Sequence, residues 1–138
     1  MQVNGAAERP TTRGPAEFFT GEVWMDEIAT LPEPGLAHAL RVHFTPGART
    51  AWHVHPRGQI LHIVEGVGRV QGEDGPARQV RPGDTVVIRP GERHWHGAAP
   101  GHLMSHLAIA DRDPATGQQT LWHEHVTDEE YLAAPASE

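Results

Sequence analysis

Hydrophobic and polar positions alternate with a period of two through most of this chain, in short runs broken by Gly and Pro. From Leu36 to Phe44, Leu36, His38, Leu40, Val42 and Phe44 share one face, while Ala37, Ala39, Arg41 and His43 share the other. The first set is expected to face an interior. Residues 22–25, 50–55, 59–64, 68–71, 77–80, 94–98 and 103–109 read as further strands, as does the run between Pro82-Gly83 and Pro90-Gly91. Many short strands with this punctuation predict an all-β fold, an antiparallel barrel or jelly roll. Helical periodicity is not sustained anywhere. Thr127, followed by Glu130, marks a capping box for one short C-terminal helix.

The length of 138 residues suits a single domain. Residues 1–16, rich in Pro, Gly, Thr and Ala, are expected to form a poorly ordered N-terminal arm, with the folded domain over 17–138. There is no Cys, which excludes disulfides, thiolate metal sites and Cys nucleophiles. There is no Lys either, so no side chain can form a Schiff base. The net charge is −7 and the eleven basic residues, all Arg, are scattered, which argues against nucleic acid as a partner. No apolar run has the length of a membrane span or the form of a signal peptide, so no membrane partner and a cytoplasmic location are expected.

The chemistry concentrates in the eleven His. On a strand, residues two apart lie on one face about 6 to 7 Å from each other, so His53 and His55 can share one cation. The turn Pro56-Arg57-Gly58 ends that strand, and a tight hairpin there would return Gln59 to the imidazoles. His94 opens a strand after the Pro90-Gly91 turn and completes a set of four metal ligands.

These blocks resemble the two motifs of the cupin superfamily. Gly47, His53, His55, Gln59 and Gly66 match the first (residues 47–66), with Gln59 where Glu is usual. Gly83, Gly91 and His94 match the second (residues 83–98), with Arg89 in place of a proline and Ala98 in place of Asn. The resemblance implies a double-stranded β-helix, or jelly-roll barrel, around a divalent metal and a small-molecule substrate. Three imidazoles and an amide leave a bound ion its full charge, which favours Lewis-acid over redox chemistry. Mixed nitrogen and oxygen ligation suits Mn, Fe, Co, Ni or Zn and does not choose among them. Proton competition at free imidazoles would release the ion below about pH 6.

By parity His96 faces inward beside His94, and His106 lies with Met104, Ala108 and Ala110 on an apolar face where it could act as a neutral base. His62 falls on the outer face with Ile60 and Val64, a surface suited to a homodimer or larger homo-oligomer. His43 also points outward, and His38 could border the pocket mouth. His123 and His125 form a second His-x-His without a partner block and read as a surface pair.

The runs Gly47–His53, Gly91–Ala98 and His125–Glu129 are similar to a branch of small bacterial cupins that includes manganese-dependent hydroxynitrile lyases. That resemblance implies manganese as the leading metal, ligation by His53, His55, Gln59 and His94, His106 as the base, and a substrate pocket bounded by Leu40, Val42 and Ala110; by parity His96 joins His106 in catalysis, and the Thr50 hydroxyl could meet substrate at the pocket rim. Leu40 stands where that branch has a smaller residue, and Ala110 where it has Gln. The activity implied is reversible cleavage of an aromatic cyanohydrin. Two other readings fit the same barrel: an oxygen-dependent dioxygenase acting on an enolic or phenolic substrate, and a non-catalytic small-ligand carrier.

Overall fold

The alternating segments pair antiparallel into two sheets in a computed structural model that describes residues 1–136. The first sheet has six strands in the order β1 (Thr11–Arg13), β3 (Val23–Thr30), β4 (Ala37–Phe44), β12 (Met104–Asp111), β7 (Gln59–Gly66) and β10 (Thr85–Ile88). The second has seven. β13 (Leu121–Trp122), β6 (His53–Val54), β11 (His94–Ala98), β5 (Arg49–Thr50) and β2 (Phe19–Thr20) follow one another, while β8 (Gly68–Gly72) pairs with β11 and carries β9 (Arg78–Val80). Thr11–Arg13, within the expected N-terminal arm, is a strand on the edge of the first sheet.

Register fixes which side chains meet inside. Val42, His106 and Ile63 are cross-strand neighbours, as are Leu40, Ala108 and Leu61 in the next row. Leu61 and Ile63 are fully buried, and each contributes ~1.5–3 kcal/mol on leaving water. The second sheet closes over this face with Phe19, Val70 and Trp122. On the outer face of the first sheet, Ile60 lies beside both Val87 and Ile109, and all three are exposed.

The expected hairpin between His55 and Gln59 does not form. Gly58 donates its N–H to the His55 carbonyl at 3.0 Å and adopts φ 79°, but the strands on either side enter different sheets. The short β6 pairs with β11 and β13, whereas β7 pairs with β12 and β10. The turn therefore carries the chain across the barrel, and Gln59 approaches from the opposite wall.

Strand β11 is buried on both faces. Its outward Trp95 joins Trp52, Ala77, Val126 and Tyr131 in a second small core under the C-terminal segment. There the capping box forms as expected: Thr127 Oγ1 accepts from Glu130 N, and Glu130 Oε1 accepts from Thr127 N, opening α1 (Asp128–Leu132). Tyr131 donates its hydroxyl to the Ala98 carbonyl at 2.6 Å. Arg49 donates to the Val126 carbonyl and to Asp128, with its guanidinium 4.6 Å from the Tyr131 ring centroid.

Gly66 closes the loop between β7 and β8 at φ 79°, where an added Cβ would lie 1.8 Å from the Leu103 carbonyl oxygen. Backbone cannot yield that much locally. Gly66→Ala is expected to cost more than about 3 kcal/mol. A urea denaturation midpoint unchanged from the unaltered protein would contradict this.

Candidate metal centre

The two blocks of His converge on one point of the interior. His53 and His94 are directly paired residues of β6 and β11, with ring centroids 4.2 Å apart. His55 lies just past β6, its ring 5.0 Å from that of His53 and 5.4 Å from that of His94. Gln59, the first residue of β7, places its amide beside His55. All four are buried.

Each of the three imidazoles has one ring nitrogen already engaged. His53 Nδ1 donates to the Ala51 carbonyl at 2.8 Å, His55 Nδ1 to Gln119 at 3.0 Å and His94 Nδ1 to Glu92 at 2.9 Å. A neutral imidazole that donates from Nδ1 keeps a lone pair on Nε2. His55 Nε2, His94 Nε2 and Gln59 Oε1 are buried without any protein partner. Buried polar atoms normally find a partner, so a converging set of bare acceptors is the signature of a cation site. The donor set therefore fits a divalent ion.

His96 and His106 stand beside this set. Nitrogens of His53, His94 and His96 lie within 4.8 Å of one another. His96 Nδ1 is 2.9 Å from His106 Nε2, and both residues are buried. The outer nitrogens of that pair, His96 Nε2 and His106 Nδ1, have no partner. Burial is the largest cause of a downward shift in every one of these imidazoles. It takes His94 and His106 to about 4, lowers His55, and holds His53 and His96 well below the usual imidazole value.

A cavity of about 80 Å³ opens beside these rings. Met25, Leu40, Val42, Phe44, Ala108 and Trp122 form its apolar wall. A larger groove of about 330 Å³, between the N-terminal segment and β3, gathers no comparable set of ligand atoms.

Comparison with known proteins places this arrangement. The family model described as "Cupin domain" matches residues 40–106. An (R)-mandelonitrile lyase from Granulicella tundricola is 47% identical over 131 residues, which is 95% of this chain and 98% of that protein. The chain is a cupin. Among solved structures, this cupin is similar to a cupin-like protein from Thermotoga maritima, at 38% identity and a TM-score of 0.84, covering 98% of this chain and 100% of that one. The polyketide cyclase RemF from Streptomyces resistomycificus shares the fold at 18% identity and a TM-score of 0.71, covering 95% and 90%.

Within this cupin, Leu40, Val42 and Thr50 line the cavity together with His96 and His106. Thr50 lies deep inside and not at a rim, because its Oγ1 accepts from the His96 backbone N–H and ties β5 to β11. Ala110 is buried next to Gln59 but outside the cavity lining, and Ala108 takes the place expected of it. Parity sends both alanines inward, and both are buried. His62 is exposed, as are His123 and His125. Phe19 and Met25 line the cavity without having been singled out in the sequence, and so do Gln119, Thr120 and Trp122 of the C-terminal stretch. The alternation Thr120-Leu121-Trp122 was the available signal for that stretch, and it is too short to stand out. Trp122 pairs with His53 across the sheet and lays its ring 4.7 Å from that imidazole. Among the described residues, no helix is long and apolar enough to cross a membrane.

Proposed function

We propose that this cupin holds a divalent metal ion, manganese in the first instance, through His53, His55, His94 and Gln59, and acts as a lyase on an aromatic cyanohydrin. One observation carries the metal reading: three imidazoles spend Nδ1 on backbone carbonyls, and His55 Nε2, His94 Nε2 and Gln59 Oε1 are buried together without a protein partner. His96 also lies within 4.8 Å of His53 and His94 with its Nε2 free, but its Nδ1 is shared with His106 and not with a backbone carbonyl, so it is assigned to the proton chemistry. The relative named (R)-mandelonitrile lyase supports the reaction class. Bound in this set of neutral donors, a divalent ion supplies Lewis acidity to a substrate oxygen with no carboxylate to weaken it.

The protein's own residues supply the proton chemistry. In a neutral pair of hydrogen-bonded imidazoles, one proton sits between the rings and the other occupies one of the two outer nitrogens. The His96–His106 pair thus always presents one bare acceptor and one donor. Its low proton affinity, imposed by burial, keeps the pair neutral at pH 7. The pair takes the substrate hydroxyl proton, the carbon–carbon bond to the nitrile breaks, and cyanide leaves with the electron pair. A proton from the pair converts it to hydrogen cyanide, and the aldehyde remains. Leu40, Val42 and Phe44 provide the apolar surface for the aromatic ring. The exposed row of Val87, Ile60 and Ile109 supports a homodimer.

Metal-loaded protein should release benzaldehyde from mandelonitrile, and His106→Ala should lower that rate by ~10²–10⁴. Equal rates in the two proteins, or none above buffer, would sink the assignment.

A further inference from the structure

The three imidazoles are oriented in two different ways. His53 and His94 each donate to the carbonyl two residues before them, Ala51 and Glu92, so their orientation is built into their own strands. His55 instead donates to Gln119, 64 positions away in sequence, with Thr120 Oγ1 at 3.4 Å from the same nitrogen. Gln119 belongs to the segment between β12 and β13, which contributes Gln119 and Thr120 to the cavity wall just before Trp122 of β13.

That segment is a strap with few ties. At one end Arg112 donates to the Gly35 and Leu31 carbonyls; at the other, β13 has two residues paired with β6. Between them residues 113–118 close on themselves, through Asp113 N to the Gln118 carbonyl and Gly117 N to the Asp113 carbonyl, and 114–118 are exposed. The central side-chain tie is the Gln119 amide, whose Oε1 lies 2.9 Å from His38 Nδ1 on β4. One residue thus reaches in both directions, with its carbonyl on His55 and its side chain on His38.

We infer that Gln119 is a positioning residue that couples closure of the strap to the orientation of His55, so that a metal ion and the closed strap stabilise each other. This rests on the metal reading above and not on the choice of substrate. Two events that both require one hydrogen-bonded arrangement must favour one another by the same factor. An ion at His55 Nε2 favours the ring orientation that donates to the Gln119 carbonyl, and an opened strap removes that acceptor. Entry of a molecule large enough to lift the strap therefore loosens one metal ligand while leaving His53 and His94 anchored.

Amide hydrogen exchange and chelator-driven metal loss test this together. The protein freed of metal and the same protein reloaded with Mn²⁺ are compared over peptides covering residues 113–122, with β1–β3 as the reference. Loading should slow exchange in the strap peptides roughly tenfold and leave the reference unchanged. Gln119→Ala and His38→Ala should each reduce that metal-dependent protection and speed Mn²⁺ loss to EDTA by about five- to tenfold. Because both act through one hydrogen bond, the double variant should lose metal no faster than either single one. Exchange in the strap that is the same with and without Mn²⁺, or single effects that multiply in the double variant, would overturn the inference while leaving metal binding intact. Failure of the unaltered protein to retain Mn²⁺ would overturn the metal reading and this inference with it.

Discussion

His94→Ala should abolish metal retention and, with it, at least about a thousandfold of any lyase rate that depends on the ion. His94 lies at the centre of the set: it pairs with His53 across β6 and β11, its ring is within reach of His55, and its free Nε2 has no other partner. Removal leaves two imidazoles and a weakly donating amide, with the two imidazoles both on one side of the set. Metal content should fall from near one per chain to below about one tenth. Stability supplies an independent measure. Mn²⁺ at about a hundred times its dissociation constant should stabilise the unaltered protein by ~2.7 kcal/mol and His94→Ala by nothing. Equal metal-induced shifts in melting temperature would refute the ligand assignment.

Acid should unfold the metal-free protein well before carboxylates alone would do so. His94 and His106 are held at about 4 by burial, against an unfolded value near 6.5, and His53 and His96 are depressed as well. Above pH 6.5 these groups are neutral in both states and stability does not depend on them. Between 6.5 and about 4 the unfolded chain binds protons that the native chain refuses, so stability falls as pH falls. By pH 4 the penalty from His94 and from His106 is ~3 kcal/mol each. Their sum approaches the entire ~5–15 kcal/mol that a domain possesses. Urea midpoints measured from pH 7.5 down to 4.5 should decline steadily, and a flat series would show that these imidazoles are not held neutral by the fold. Burial also changes the metal expectation: protons compete with the ion at a lower pH than the free imidazole value suggests. Metal loss should track acid unfolding of the barrel and not a simple titration near pH 6.

Much of this was legible in the residues. Period-two alternation located the strands, and Gly and Pro located the turns. The spacing of His53, His55 and His94 singled out three imidazoles whose rings the fold brings within 5.4 Å of one another. What escaped notice depends on partners distant in sequence. Nothing local to Pro56-Arg57-Gly58 says that the strands on its two sides belong to opposite walls, because that is decided by β12 capturing β7 and β11 capturing β6. The double burial of β11 follows from a C-terminal segment that folds back over Trp95. Gln119 acquires its role solely through contacts with His38 and His55, which lie 81 and 64 positions away. Ala108 and Ala110 have the same parity and chemistry, and only Ala108 lines the cavity.

The crossing at Gly58 divides labour between the two walls. His53, His94 and His96 all come from the seven-stranded sheet, as does Trp122, with His55 immediately after β6. Leu40, Val42, His106 and Ala108 come from the six-stranded sheet, and so does Gln59. One wall is an anchor, with His53, His55 and His94 tied through Nδ1 to backbone; the other is a façade whose side chains set size and polarity. Selection or design can therefore retune what the pocket accepts by substitutions at Leu40, Val42 and Ala108, without disturbing the backbone hydrogen bonds that aim His53 and His94.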